Sequence, residues 1–169
     1  LRVIGDRGAF PERLRQEMAE AERVTATNSK LTLQIAANYG SRWDLTEATR
    51  RIAQDAVAGR LDPLTLTEDG LAARLATAGL PDPDLFIRTG GERRLSNFLL
   101  WQAAYAELYF SDLMWPDFST EAYVEALADY GRRQRRFGQT SEQVMDRSSQ
   151  AGGSAPESPH DPDRLSPWP

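Results

Sequence analysis

The stretch DLFIRTGGERRLSNFLLWQAAYAELYFSDLMWPDF, residues 84–118, holds two short apolar runs, DLFIR (84–88) and AELYF (106–110), on either side of a basic loop. Each run has the length of a strand and is enriched in aromatic or branched residues. The loop between them carries Arg88, Thr89, Gly90, Gly91, Arg93, Arg94, Ser96 and Asn97. Anion-binding groups that begin where a buried strand ends point to an open α/β sheet, in which ligands sit beyond the carboxyl ends of the strands.

Reading outward, the rest of the chain follows the same alternation. Residues 1–5 (LRVIG) read as a strand, and Pro11 suits the first turn of a helix. PERLRQEMAEAERVTATN continues with good helix formers, its apolar residues Leu14, Met18, Ala21 and Val24 recurring at spacings of three and four. LTLQIAA (31–37) is an almost continuous apolar run, as expected of a strand buried on both faces. The next helix, 44–58, has Asp44 as its N-cap, Glu47 three residues on and Gly59 at its end. Thr67 caps a further helix that stops at Gly79. A short helix is expected between the strands 84–88 and 106–110. The last helix opens at Ser119 or Thr120 and closes on basic residues, which suits the helix dipole. The order predicts an α/β fold, a mainly parallel central sheet flanked by helices. After Gly138 the composition shifts to Ser, Pro and Gly with few aliphatic residues, so 1–138 is read as one domain and 139–169 as a disordered tail.

Composition excludes several chemistries. The 169 residues contain no cysteine, and the single histidine, His160, lies in the tail. A zinc site, a cysteine nucleophile and a Ser-His-Asp triad are therefore ruled out for residues 1–138. The net charge of −5 argues against a general nucleic-acid binder, so the arginines of the loop must act locally. No apolar run is long enough to span a bilayer and no signal peptide is recognisable, so a cytoplasmic protein is expected. What remains is chemistry run by carboxylates, arginines, hydroxyls, backbone N–H groups or a hard cation held through oxygen.

The loop fits that list. Arg88 and Arg94 offer planar, permanently charged forks that match phosphate oxygens in pairs. Ser96 adds a hydroxyl, and Gly90 and Gly91 let the backbone turn its N–H groups toward an anion. Local physics leaves two readings: a diphosphate seat, or a glycine turn flanked by surface ion pairs. The loop is neither a phosphate-binding Walker motif, lacking the lysine, nor a dinucleotide fingerprint, lacking the third glycine. Glu107, an acid among Tyr105, Leu108, Tyr109 and Phe110, is read either as an arginine's partner or as a Mg2+ ligand. Asn38, Tyr39, Gly40 and Arg42 follow a strand and either face substrate or fix a loop. Trp101, Trp115, Phe118 and Tyr123 are read as core or dimer contacts, and Arg132, Arg133, Arg135 and Arg136 as a basic helix end.

Residues 84–118 closely resemble the signature region of the cis-prenyltransferases, or isoprenyl transferases, and in particular the bacterial members that make undecaprenyl diphosphate. LTLQIAANYGSRWD (31–44), the opening LRVIGD and RRQRRFG (132–138) resemble the same family in the expected order. The resemblance implies a Mg2+-dependent, homodimeric, cytoplasmic transferase that condenses isopentenyl diphosphate repeatedly onto an allylic diphosphate such as farnesyl diphosphate. Its product, a long cis-polyprenyl diphosphate, implies contact with the membrane surface. On this resemblance Arg88, Arg94 and Ser96 bind the diphosphate of isopentenyl diphosphate, with Leu95 contributing its backbone. Glu107 is the Mg2+ ligand, and Arg136 and Gly138 form a further diphosphate-binding element. The family's DGNGRWA-like motif, with its catalytic aspartate, and its FSTENW-like motif are not found here. The chain, opening on Leu1, is thus expected to be the C-terminal part of a longer enzyme, N-terminally truncated and inactive alone. The alternative is a non-catalytic partner subunit of such an enzyme.

Overall fold

The computed structural model describes residues 1–133. Leu1–Tyr130 form one unit; of a second, beginning at Gly131, only the end of the last helix is described. The elements run β1 (Arg2–Ile4), α1 (Glu12–Thr25), β2 (Gln34–Ala36), α2 (Ser41–Val57), α3 (Glu68–Ala72), β3 (Leu85–Arg88), β4 (Glu107–Phe110) and α4 (Thr120–Arg132), with single 3-10 turns at Arg7–Ala9, Pro63–Thr65 and Trp115–Asp117.

All pairing is parallel, as the alternation predicted, but among the described residues it forms two ladders rather than one central sheet. β1 pairs with β2 (Arg2↔Gln34 to Ile4↔Ala36), and β3 pairs with β4 (Leu85↔Glu107 to Arg88↔Phe110). The buried apolar set is small: Val3, Ile4, Ala48, Ile52, Leu75, Phe86, Ala103 and Ala126.

That small core corrects two expectations. Residues 31–37 are not a strand buried on both faces. Only Gln34–Ala36 pair, and Leu31, Leu33 and Ile35 are 80%, 53% and 44% exposed. The apolar stripe of α1 is not core either, since the helix has no buried residue. Its helicity draws on propensity and on exposed ion pairs such as Arg13–Glu17 at 2.9 Å and Arg23–Glu20 at 2.6 Å, each worth about 0.2–0.5 kcal/mol. What anchors α1 is Glu22, whose carboxylate accepts from Val3 N at 2.7 Å and from Arg7 Nη1 at 2.9 Å.

Three local expectations are also corrected. The residues before α2 place Gly40, not Asp44, at its N-cap; Asp44 is inside the helix and 2% exposed. α3 is capped by Thr67 as expected, its Oγ1 accepting from Gly70 N at 3.1 Å. It ends at Ala72 instead of reaching Gly79, and turns fill the interval. No helix is assigned between β3 and β4, where one helical turn (Ala103 N to Leu99 O, 2.8 Å) stands in for it. The caps at Gly59 (φ +71°) and Ser119, whose Oγ accepts from Ala122 N at 3.4 Å, agree with the sequence reading. Trp115 (76% exposed) and Tyr123 (47%) are not core residues; Trp115 stacks on Phe118 at 6.5 Å.

Gly5 closes β1 for a steric reason. Its φ is +116°, and a Cβ there would come within 2.0 Å of Ala37 O. The two chains leaving the β1/β2 ladder can then stay close, Asp6 N donating to Asn38 O at 3.2 Å.

Candidate functional site

β3 delivers Arg88 to the carboxyl end of its ladder, and the chain then folds back over it. Arg88 Nη1 donates to the carbonyl of Arg94 and to Ser96 Oγ, the latter at 2.8 Å. Arg94 Nε donates to the same Ser96 Oγ at 3.2 Å. A hydroxyl has two acceptor lone pairs and one proton. With both arginines on its lone pairs, Ser96 is left as a donor beside two guanidinium groups. Two permanent cations and an O–H donor on one spot suit a multiply charged oxyanion. Arg94 also pairs with Glu92, and both are well exposed, with 65% and 46% of their side chains accessible, so that pair is worth little on its own.

The glycines play a different part from the expected one. Gly90 N donates to Leu113 O at 2.7 Å and Gly91 N to Ser111 O at 3.0 Å. Their N–H groups tie the loop to the segment after β4 and do not face an anion. An anion seat here would therefore be built from side chains.

The turn that carries Ser96 is backbone-strained. Ser96, Asn97 and Leu99 have φ of +48°, +62° and +47°. Phe98, between them, makes edge-to-face contacts with Tyr39 at 5.8 Å and Phe86 at 5.9 Å, a geometry worth about 0.5–1.5 kcal/mol per pair. Tyr39 OH donates to Asp44 Oδ2 at 3.0 Å, and Asp44 Oδ1 accepts from Ala76 N at 2.9 Å. Burial, reinforced by the Asp44 charge, pushes the Tyr39 phenol up to about 12. Of the two readings of residues 38–42, loop-fixing is the one the contacts describe: Asn38 Nδ2 donates to Asp6 O at 3.3 Å, Arg42 N to Asn97 Oδ1 at 2.9 Å, and Gly40 lies against Asn97.

The predicted site residues do not all converge. Arg88, Arg94, Leu95 and Ser96 share one loop, Arg93 beside them is exposed, and Arg136 and Gly138 lie outside the described residues. Glu107 opens β4 opposite Leu85, whereas Arg88 is opposite Phe110. At about 3.3 Å per residue the two ends of the ladder are roughly 10 Å apart. Among the described residues no three Asp, Glu, His or Cys side chains gather where they could hold a metal ion. Glu107 thus offers one carboxylate, and a Mg2+ ion there would need further oxygen ligands. What the sequence reading missed was Ser41, and the parts played by Asn97 and Asp44: Ser41 and Asn97 join the turn to α2, and Asp44 holds Tyr39, which packs on Phe98.

The loop and its flanking strands lie inside a family match. Residues 1–138 match the family model described as "Putative undecaprenyl diphosphate synthase". The chain belongs to this family. A ditrans,polycis-undecaprenyl-diphosphate synthase, (2E,6E)-farnesyl-diphosphate specific, from Pseudomonas putida is 61% identical over 144 residues, 85% of this chain and 57% of that protein. One of the same description from Vibrio vulnificus is 48% identical over the same shares of each chain. The chain thus spans a little over half the length of these curated relatives. Among solved structures, lavandulyl diphosphate synthase from Lavandula x intermedia in complex with dimethylallyl diphosphate superposes with a TM-score of 0.79 at 39% identity, over 82% of this chain and 59% of that one. A probable undecaprenyl diphosphate synthase from Campylobacter jejuni gives 0.69 at 32% identity, over 82% and 62%.

Proposed function

We propose that this chain carries the isopentenyl diphosphate seat of a cis-prenyltransferase that lengthens an allylic diphosphate such as farnesyl diphosphate into a long cis-polyprenyl diphosphate, undecaprenyl diphosphate being the product in view. The observation that carries the reading is the convergence of Arg88, Arg94 and Ser96 at the carboxyl end of β3, inside the family match. Leu95 sits between the seat's residues, and Arg136 and Gly138 add a second diphosphate-binding element on the family pattern. In this scheme the arginines and Ser96 hold the diphosphate so that the isopentenyl double bond faces the allylic carbon, an orientation task. The carbon–oxygen bond of the allylic partner breaks as the new carbon–carbon bond forms, its diphosphate departs with the bonding electron pair, and the proton lost from the new skeleton goes to a diphosphate oxygen or a carboxylate.

The same reading carries a homodimer in the cytoplasm, meeting the membrane surface through its lipid product, and Mg2+ at Glu107. That metal role requires oxygen ligands from outside this chain's described residues. Among the described residues no helix is long and apolar enough to cross a membrane. The intact seat favours a substrate-binding chain over a non-catalytic partner subunit.

Calorimetric titration of the chain with isopentenyl diphosphate, inorganic pyrophosphate and isopentenol tests the proposal. Binding of the first two without the third is expected. Binding of isopentenol alone, or of none, refutes it.

A further inference from the structure

We propose that Asn97 is a positioning residue for the diphosphate seat, holding Ser96 in its left-handed turn by pinning that turn to the start of α2. The inference rests on reading Arg88, Arg94 and Ser96 as that seat.

The turn needs an external hold. Asparagine enters the left-handed region at low cost, but serine and leucine do not, and Ser96 and Leu99 both sit there. Strain of this kind persists only where surrounding contacts over-determine the backbone. Here the contacts come from residues more than fifty positions earlier. Asn97 O accepts from Ser41 N at 2.8 Å, Asn97 Oδ1 accepts from Arg42 N at 2.9 Å, and Ser41 Oγ accepts in return from Leu100 N at 2.7 Å. Gly40 makes room for this approach: a Cβ on it would come within 2.6 Å of Asn97 Nδ2. The exchange serves both partners. The first N–H groups of a helix have no partner within it, and Gly40 has no side chain with which to cap α2. Asn97 supplies that cap, and α2, seventeen residues long with Ser41 and Asp44 buried, is the rigid body to which the turn is fixed.

The consequence falls on Ser96. Its Oγ meets Arg88 and Arg94 at 2.8 and 3.2 Å in this backbone conformation. Relaxation of its φ to the usual negative range turns the hydroxyl away from both guanidinium groups. The seat's own bonds lie at the surface, as does the Arg42 N to Asn97 Oδ1 bond, but Ser41 is 1% exposed and ties both Asn97 O and Leu100 N to the buried start of α2.

The test is calorimetric titration of the 169-residue chain with isopentenyl diphosphate, with thermal unfolding of each variant alongside. Asn97→Gly keeps the left-handed backbone and removes the side-chain clamp; its Kd is expected to rise about tenfold. Because Asn97 acts through Ser96, Asn97→Gly added to Ser96→Ala is expected to change Kd by less than about twofold. A merely structural role predicts independent effects, so multiplying effects overturn the proposal. Arg94→Ala separates the two levels of the argument. If Arg94→Ala weakens binding and Asn97→Gly does not, the clamp is refuted and the seat stands. If Arg94→Ala binds as the wild type does, or the wild type does not bind, the seat falls and the clamp with it. Should Asn97→Gly fail to fold, Gly40→Ala presses on the Asn97 side chain while keeping every seat residue. It is expected to weaken binding, and an unchanged Kd overturns the proposal.

Discussion

Replacing Arg88 by alanine should damage the seat more than replacing Arg94, although the two carry the same charge. A hydrogen bond from either guanidinium to a diphosphate contributes about 1.5–3 kcal/mol, roughly 10- to 150-fold in Kd. Arg94 adds little beyond that: its side chain is 65% exposed, its pairing with Glu92 at the surface is worth little, and its one bond within the seat, to Ser96 Oγ, is the longer one at 3.2 Å. Arg88 delivers the same and also organises the loop, through the Arg94 carbonyl and Ser96 Oγ. Each of those bonds adds about 1 kcal/mol of loop order that the ligand must otherwise supply. The expectation is a loss of roughly tenfold for Arg94→Ala and at least roughly hundredfold for Arg88→Ala. Arg88→Lys keeps the charge but loses the planar fork, which leaves further N–H groups for the ligand while Nη1 holds Arg94 O and Ser96 Oγ, so it should fall between wild type and Arg88→Ala. Titration with isopentenyl diphosphate at low and moderate salt, on variants shown by circular dichroism to be folded, measures all three. Equal losses for Arg88→Ala and Arg94→Ala, or an Arg88→Lys indistinguishable from wild type, would refute the bridging role.

Asp44→Ala removes the acceptor for Ala76 N and Tyr39 OH at a site 2% exposed. It should lower unfolding stability in urea by about 2–4 kcal/mol, with Asp44→Asn recovering part; a loss under about 1 kcal/mol would contradict the contacts. Glu22 is held below the ordinary glutamate value of 4.5, chiefly by its hydrogen bonds from Arg7, with Val3 N–H and the Arg7 charge assisting. A lowered folded value means its contribution is present above that range and is lost as pH falls through the folded value. Stability between pH 6 and about 3 should therefore fall less steeply in Glu22→Gln than in wild type, and parallel curves would show that the pairing does not matter. Tyr39, raised by burial to about 12, favours folding below the ordinary tyrosine value of 10 and loses that contribution as pH rises through about 12. Ultraviolet titration should show a late phenol step that disappears in Tyr39→Phe; its persistence would assign it to another of the five tyrosines.

The sequence announces what depends on neighbours. The strands 84–88 and 106–110, the Thr67 cap and the Gly59 stop all rest on local chemistry, and all were readable. The proximity of Arg88, Arg94 and Ser96 is local in the same way, since one loop brings them together. The errors arise where distant partners decide. LTLQIAA is apolar enough for a doubly covered strand, but periodicity says nothing about whether anything covers it, and Ile35 stands 44% exposed. Asp44 followed by Glu47 has the spacing of a capping box, yet Asn97 takes the cap from across the fold and frees Asp44 to bind Ala76 and Tyr39.

The glycine pair shows why composition alone misassigns a loop's chemistry. Gly-Gly beside arginine fits a backbone cradle for phosphate, and the cradle would need both N–H groups to face outward. In the fold they face Leu113 and Ser111, and the ladder β3/β4 gains a closure in place of an anion site. In the proposed seat, binding then falls to side chains, whose direction depends on the backbone that carries them. A cradle of N–H groups is positioned by its own turn, but a seat made of Arg88, Arg94 and Ser96 is only as precise as the turn 96–99. That turn is strained at Ser96 and Leu99 and held from the start of α2. The cost of using side chains is thus a dependence on residues some fifty positions away, and no reading of residues 84–118 by themselves could have exposed it.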